Sequence, residues 1–231
     1  MFQIMKKKFI NKKKNTFFKI YSLILLIISL IVFIFHLKNN FFLTKSGFGK
    51  NFCNTFKHFT SQSNFFILII LILFFTPFFK NKYFHILTFI TLINILLTFI
   101  VNHSFIAPDE KRKLFQNIIN FEFPGLIHFQ HTFIPILYII FYFFSLNKGI
   151  DVKKSYLGII YPLFYFLFFL ILNFFKSEKY YPYDFINPDK KGIFELGQKQ
   201  GYLGLFLSIS VLTLVFYFLS FFILFLKKKF K

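Results

Sequence analysis

Six apolar runs, each close to 20 residues and nearly free of charge, constrain this chain more than any other feature. A helix rises 1.5 Å per residue, so about 20 residues cross the roughly 30 Å hydrocarbon core of a bilayer. The runs cover approximately 17–37, 60–79, 84–106, 126–146, 156–175 and 202–226. They are continuously apolar rather than alternating, which predicts helices and not the strands of a membrane barrel. The expected fold class is all-α, an integral membrane bundle of six transmembrane helices in one domain.

Composition points the same way. Of the 231 residues 56% are hydrophobic and 16% charged, against about 45–50% and about 25% in a soluble domain. The 45 Phe, the single Arg112, the single Ala107 and the absence of Trp suggest AT-rich coding bias, so much of the Phe is compositional drift. The lone Cys53 forms neither an internal disulfide nor a thiolate metal site. A net charge of +20 suits a membrane surface, because the basic residues lie between apolar runs and at the termini. Membrane lipid is therefore the expected partner. No nucleic-acid partner is expected, since nothing organises the charge into a groove.

The segment before the first run resembles the n-region of a signal peptide, yet the run is long and lacks a small-x-small cleavage site, so it reads as an uncleaved span. Sixteen basic residues fall on the side of the termini and 12 on the other. The positive-inside rule then places residues 1–16 and 227–231 in the cytoplasm as basic tails of a multi-pass cell-membrane protein. Seven of the eight acids fall on the opposite side, leaving only Asp151 with the termini. No inverted repeat of the kind found in many secondary transporters is evident.

In lipid a polar side chain must face the bundle interior or a wet cavity, which makes polar positions informative. Thr91, Asn94, Thr98 and Asn102 share one helical face of the third run, as do Ser210, Thr213, Tyr217 and Ser220 in the sixth. His128, His131, Pro135, Tyr138 and Tyr142 do so in the fourth. Interhelical hydrogen bonding is the plain explanation for the hydroxyl and amide stripes. The uninterrupted apolar parts of the second and fourth runs, 65–79 and 132–146, are only 15 residues long, about 22 Å as helix. Their opening turns, Thr60 to Asn64 and His128 to His131, must then lie at one depth at the outer edge of the hydrocarbon.

A hydroxyl and an imidazole can meet there. A threonine hydroxyl becomes a nucleophile when an adjacent base takes its proton, and histidine is the usual base. Thr60 and His131 are the candidate pair; Asn64, one helical turn from Thr60, is placed to help bind an oxyanion. Asn102, Asp184 or a tyrosine would orient the base. The plain alternative is that Thr60 or Ser61 caps the second helix. Five histidines, His36, His58, His103, His128 and His131, fall near outer ends of spans. Zinc catalysis wants three ligands at recognisable spacing, and His128 and His131 have no nearby carboxylate on their helix, so no metal or other cofactor is expected. Interfacial snorkelling accounts for His36, His58 and His103.

Phe59-Thr60-Ser61-Gln62-Ser63-Asn64 before the second span, His131-Thr132-Phe133-Ile134-Pro135 in the fourth, and Tyr181-Pro182-Tyr183-Asp184-Phe185 before the sixth resemble motifs of the androgen-induced-protein family of six-span membrane hydrolases. They also resemble its bacterial relatives, the Pr-six-Pr membrane proteins. The resemblance covers most of 17–226. It implies a nucleophile at Thr60, a base at His131, and hydrolysis of fatty acid esters of hydroxy fatty acids; His128 matches a second histidine of some members. A histidine four residues before the proline, kept in the bacterial relatives, selects His131. Gln62 and Ser63 depart from the family, whose members often carry apolar residues there.

The segment before the sixth span is rich in Tyr, Pro and Gly, and Tyr180 to Asn187 is expected to cap the outer mouth of the bundle, with Tyr181, Tyr183 and Asp184 near any substrate. Two functions compete. One is hydrolysis of lipid-like esters at the outer face by a Thr60–His131 dyad. The other is a non-catalytic subunit that binds or transports a small solute; against it, no membrane-embedded Asp or Glu offers ion coupling and no phosphate-binding loop occurs. Protein partners are not specified by the sequence.

Overall fold

The computed structural model describes residues 2–42, 55–103, 128–145, 150–175, 180–190 and 201–229. Among them no strand occurs, and the long elements are helices: α1 Phe2–Phe42, α2 Phe59–Phe74, α3 Lys82–Val101, α4 Ile134–Ser145, α5 Leu157–Phe174 and α6 Gly201–Lys229. Four stretches are long and apolar enough to cross a membrane, namely Thr16–Lys38 within α1, Lys82–Val101, Val152–Phe174 and Gly201–Lys229. Phe59–Phe74 and Phe129–Phe144 are apolar but shorter. The all-α expectation holds; of the six runs, four have spanning length as helices.

Several boundaries differ from the sequence expectation. The second run was expected to reach residue 79, but α2 stops at Phe74. Pro77 is the reason, because it has no N–H and drives the residue before it out of helical geometry. Thr76 is extended, and its hydroxyl donates to the Leu73 carbonyl at 2.8 Å and accepts from Phe78 N–H at 3.3 Å, capping the turn Pro77–Lys80. Asn81 then caps α3 by accepting from Tyr83 N–H at 3.0 Å. The expected tail 1–16 is helical from Phe2 onward, and α6 runs through Lys229. Cys53, the ends of the third run at 104–106 and the edges of the fourth at 126–127 and 146 lie outside the described residues.

The bundle is organised around α3, of whose spanning window 61% is buried against 22% for that of α1. Helices α2, α4 and α5 flank it, and α1 packs across α2 and α4. Phe18 of α1 meets Phe74 and Phe141 at 5.7 Å each, and such ring pairs contribute about 0.5–1.5 kcal/mol beyond their burial. The α3 stripe Thr91, Asn94, Thr98 and Asn102 is buried, with Thr88 extending it. On α6 only Ser220 of the expected stripe is buried, beside Leu205, Ser208, Leu212 and Phe216; Ser210 and Thr213 are half-buried and Tyr217 is exposed. A helix bordered by lipid turns its best-fitting residues inward, and polarity alone does not choose them. Outward-facing Phe164, Phe174, Phe206 and Phe218 form an apolar exterior.

Two contacts lock the end of the bundle opposite Thr60. Gly158 brings α5 close to its neighbours, since a Cβ there would collide with Ser220 Oγ and lie 2.8 Å from Ile93 Cγ1. Lys227 is buried, and its ammonium donates to the carbonyls of Tyr142 at 2.7 Å and Phe143 at 2.6 Å. These are last-turn carbonyls of α4, left without intrahelical donors and at the negative end of the helix dipole.

Candidate functional site

The start of α2, the end of α3, the turn before α4, the middle of α5 and the 180–190 segment surround a small open cleft. Thr60, Thr98, Asn102, His131, Tyr165 and Tyr183 contribute its polar groups. Phe59, Leu97, Val101, Phe166 and Phe185 supply apolar wall.

Thr60 is the second residue of α2. The N-cap is His58, extended at φ −82° and ψ 133° with no side-chain cap, so Thr60 does not spend its hydroxyl on capping. The approach to α2 is held by Tyr165, whose hydroxyl donates to the Lys57 carbonyl at 2.7 Å and whose ring stands edge-on to Phe59 at 5.1 Å. The phenol of Tyr183 faces the Thr60 hydroxyl and the N–H groups of Thr60 and Phe59. Burial pushes the Tyr183 phenol above its ordinary range while those contacts pull the other way, so at neutral pH it is a protonated donor.

His131 lies in the π-helical turn Phe129–Phe133, which runs directly into α4. Such wide turns recur at functional sites because they re-aim a side chain within a helix. The Thr98 carbonyl hydrogen-bonds to the imidazole. Nδ1 is buried without a hydrogen-bond partner among the described residues. Thr60 and His131 share the cleft, with no hydrogen bond recorded between them. Catalytic contacts of this kind often close only around substrate.

Four of the eight residues singled out from the sequence, Thr60, His131, Asn102 and Tyr183, thus line one cleft. The other four do not. Asn64 lies beneath it, donating to the Thr60 carbonyl at 2.9 Å and the Gln130 carbonyl at 3.4 Å. His128 is half-buried at the start of the π turn. Tyr181 is half-buried, and Asp184 is exposed at the start of the short turn Asp184–Ile186. The segment around them is tied down at both ends: Asn173 donates to the Tyr180 carbonyl at 2.7 Å, and Gly201 N–H donates to the Pro188 carbonyl at 2.9 Å. Between these ties Tyr183 stacks on Phe185 at 5.3 Å and meets the His58 ring at 6.0 Å.

Of the remaining outer histidines, His36 and His103 join helices. His36 bonds Ser61 at 2.9 Å and His103 bonds Thr132 at 2.9 Å, linking α1 to α2 and the end of α3 to the turn before α4. Snorkelling is therefore not their main role. Ser61 is 2% exposed and outside the cleft. Among the described residues no group of three or more His, Cys, Asp or Glu is arranged to hold a metal. Sequence reasoning passed over Tyr165 and Phe166, which sit in a uniformly aromatic run with no periodic signal, and gave Thr98 no role although it lay on the α3 stripe. No protein-family model, curated protein or solved structure matches the chain.

Proposed function

We propose that this is a multi-pass cell-membrane protein of six spans, with both termini cytoplasmic, that hydrolyses lipid-like esters at the outer face. Thr60 is the nucleophile and His131 the base. The observation that carries the reading is the shared cleft: a hydroxyl not used for capping and an imidazole nitrogen without a partner border one space with mostly apolar walls. Apolar walls with a few convergent polar groups suit an acyl chain with one reacting ester. The motif resemblance to the androgen-induced-protein family suggests the same substrate class.

In this reading Thr60 Oγ1 attacks the ester carbonyl carbon as His131 Nδ1 takes its proton, and the same proton then passes to the leaving alcohol. The Asn102 amide and the Tyr183 phenol are available as donors to the oxyanion; one such donor is worth about 10²–10³ in rate elsewhere. The test is labelling of detergent-purified protein by a fluorophosphonate probe. Wild type should label, and Thr60→Ala and His131→Ala should not. Absence of labelling in folded wild type would overturn the hydrolase and favour the non-catalytic small-solute subunit.

A further inference from the structure

Beneath the cleft, three side chains have more polar atoms than the protein satisfies. Asn94 is fully buried, and neither its Nδ2 nor its Oδ1 has a hydrogen-bond partner among the described residues. Asn64, only 5% exposed, leaves Oδ1 unpartnered, and His131 leaves Nδ1 unpartnered. Thr98 is their common neighbour. Its hydroxyl donates to the Asn94 carbonyl at 3.2 Å and lies 3.4 Å from Ser63 Oγ, beside Asn64, while its carbonyl meets the His131 ring. Asn64 in turn reaches the carbonyl of Gln130, the residue before His131, at 3.4 Å.

Buried polar atoms are nearly always paired, and where protein groups do not pair them an internal water making about three hydrogen bonds does. The chemistry of these atoms selects water over a cation. Asn64 Oδ1 needs a donor, whereas Asn94 offers both a donor and an acceptor, and the three side chains include no carboxylate. Water donates and accepts at once.

We propose that Asn64 and Asn94 hold an internal water beneath the cleft, and that it completes ester hydrolysis with His131 as base once the alcohol has left; this second half rests on the hydrolase reading above. Acylation of Thr60 does not consume water. Deacylation does, and the apolar wall of the cleft is a poor route for it. The water oxygen attacks the carbonyl carbon of the Thr60 ester while its proton passes to His131 Nδ1. The bond from that carbon to Thr60 Oγ1 then breaks, and the oxygen recovers the proton from Nδ1. The products are the free acid and the restored hydroxyl, with no further co-reactant.

The variant Asn94→Leu keeps the branch of the side chain and removes both polar atoms. X-ray hydroxyl-radical footprinting in detergent should oxidise His131 in wild type and much less in the variant, with exposed Tyr202 oxidised equally in both. Equal oxidation of His131 overturns the water site. With a p-nitrophenyl acyl ester, the variant should release one equivalent of nitrophenol in a burst and then turn over at least about tenfold more slowly than wild type, which is 1.4 kcal/mol by the usual conversion. Burst and turnover falling together would overturn the role in deacylation. No nitrophenol from wild type would refute the hydrolase and the second half, while the footprint still decides the water site. If Asn94→Leu does not fold, Asn64→Leu serves for both comparisons with the same outcomes.

Discussion

The two ends of the bundle differ in how they treat their most costly polar group, although Ser220 Oγ at the Lys227 end is also buried without a hydrogen-bond partner among the described residues. At the Lys227 end the group most costly to bury is matched twice, by the Tyr142 and Phe143 carbonyls, and its ammonium also lies 5.1 Å from the Tyr142 ring. At the Thr60 end Asn64, Asn94 and His131 keep buried polar atoms unpartnered among the described residues, around a cleft lined by the Thr60 hydroxyl. Partners offset the desolvation of a buried charge; a leftover polar atom destabilises unless something else binds it. On the proposed reading, the buried ammonium serves stability and the Thr60 end serves chemistry with groups that folding leaves unused.

The largest effect should come from breaking the lock. Lys227→Met leaves two helix-end carbonyls without their charged donor and should cost about 3 kcal/mol, since each hydrogen bond to a charged group is worth about 1.5–3. Thermal unfolding in detergent reads this, and hydrolysis per folded molecule should be unchanged. The opposite pattern belongs to Tyr183→Phe. It keeps the stack on Phe185 and loses only the phenol, so kcat should fall by about 10² while the melting temperature barely moves. Next comes Gly158→Leu, which forces atoms into Ser220 and Ile93 and should cost about 1–3 kcal/mol by overpacking, again without changing kcat.

The smallest effect is a pH dependence at the Thr60 end. Burial, and then the neighbouring Lys57, hold the His58 pKa below its ordinary 6.5. The unfolded chain therefore takes up the proton first as the solution is acidified, so this contribution to stability is full above about pH 6.5 and is lost as pH falls through the window below it. Melting temperatures measured from about pH 7 down to about pH 5 should decline, and His58→Gln should flatten that decline.

The helical class and four helices of spanning length were legible because hydrocarbon demands length and apolarity together, and both are written in composition. The end of α2 was legible only through Pro77, a residue that the apolar run itself conceals. Thr60 and His131 could be paired by depth, since two short apolar runs fix where their opening turns sit. The contact of Thr60 with Tyr183 was not legible as such, because it depends on how a segment more than 100 residues away folds back over α2. Lys227 was hidden for a different reason: in a run of three lysines, only the rotation of α6 against α4 decides which one is buried.

The most direct test of this division is Thr60→Ala, with turnover of a lipid-like ester and the melting temperature measured on the same detergent-purified sample. The account predicts turnover at background with a melting temperature within about 2 °C of wild type, a shift corresponding to well under 1 kcal/mol. Retained turnover, or a melting loss as large as that of Lys227→Met, would contradict it.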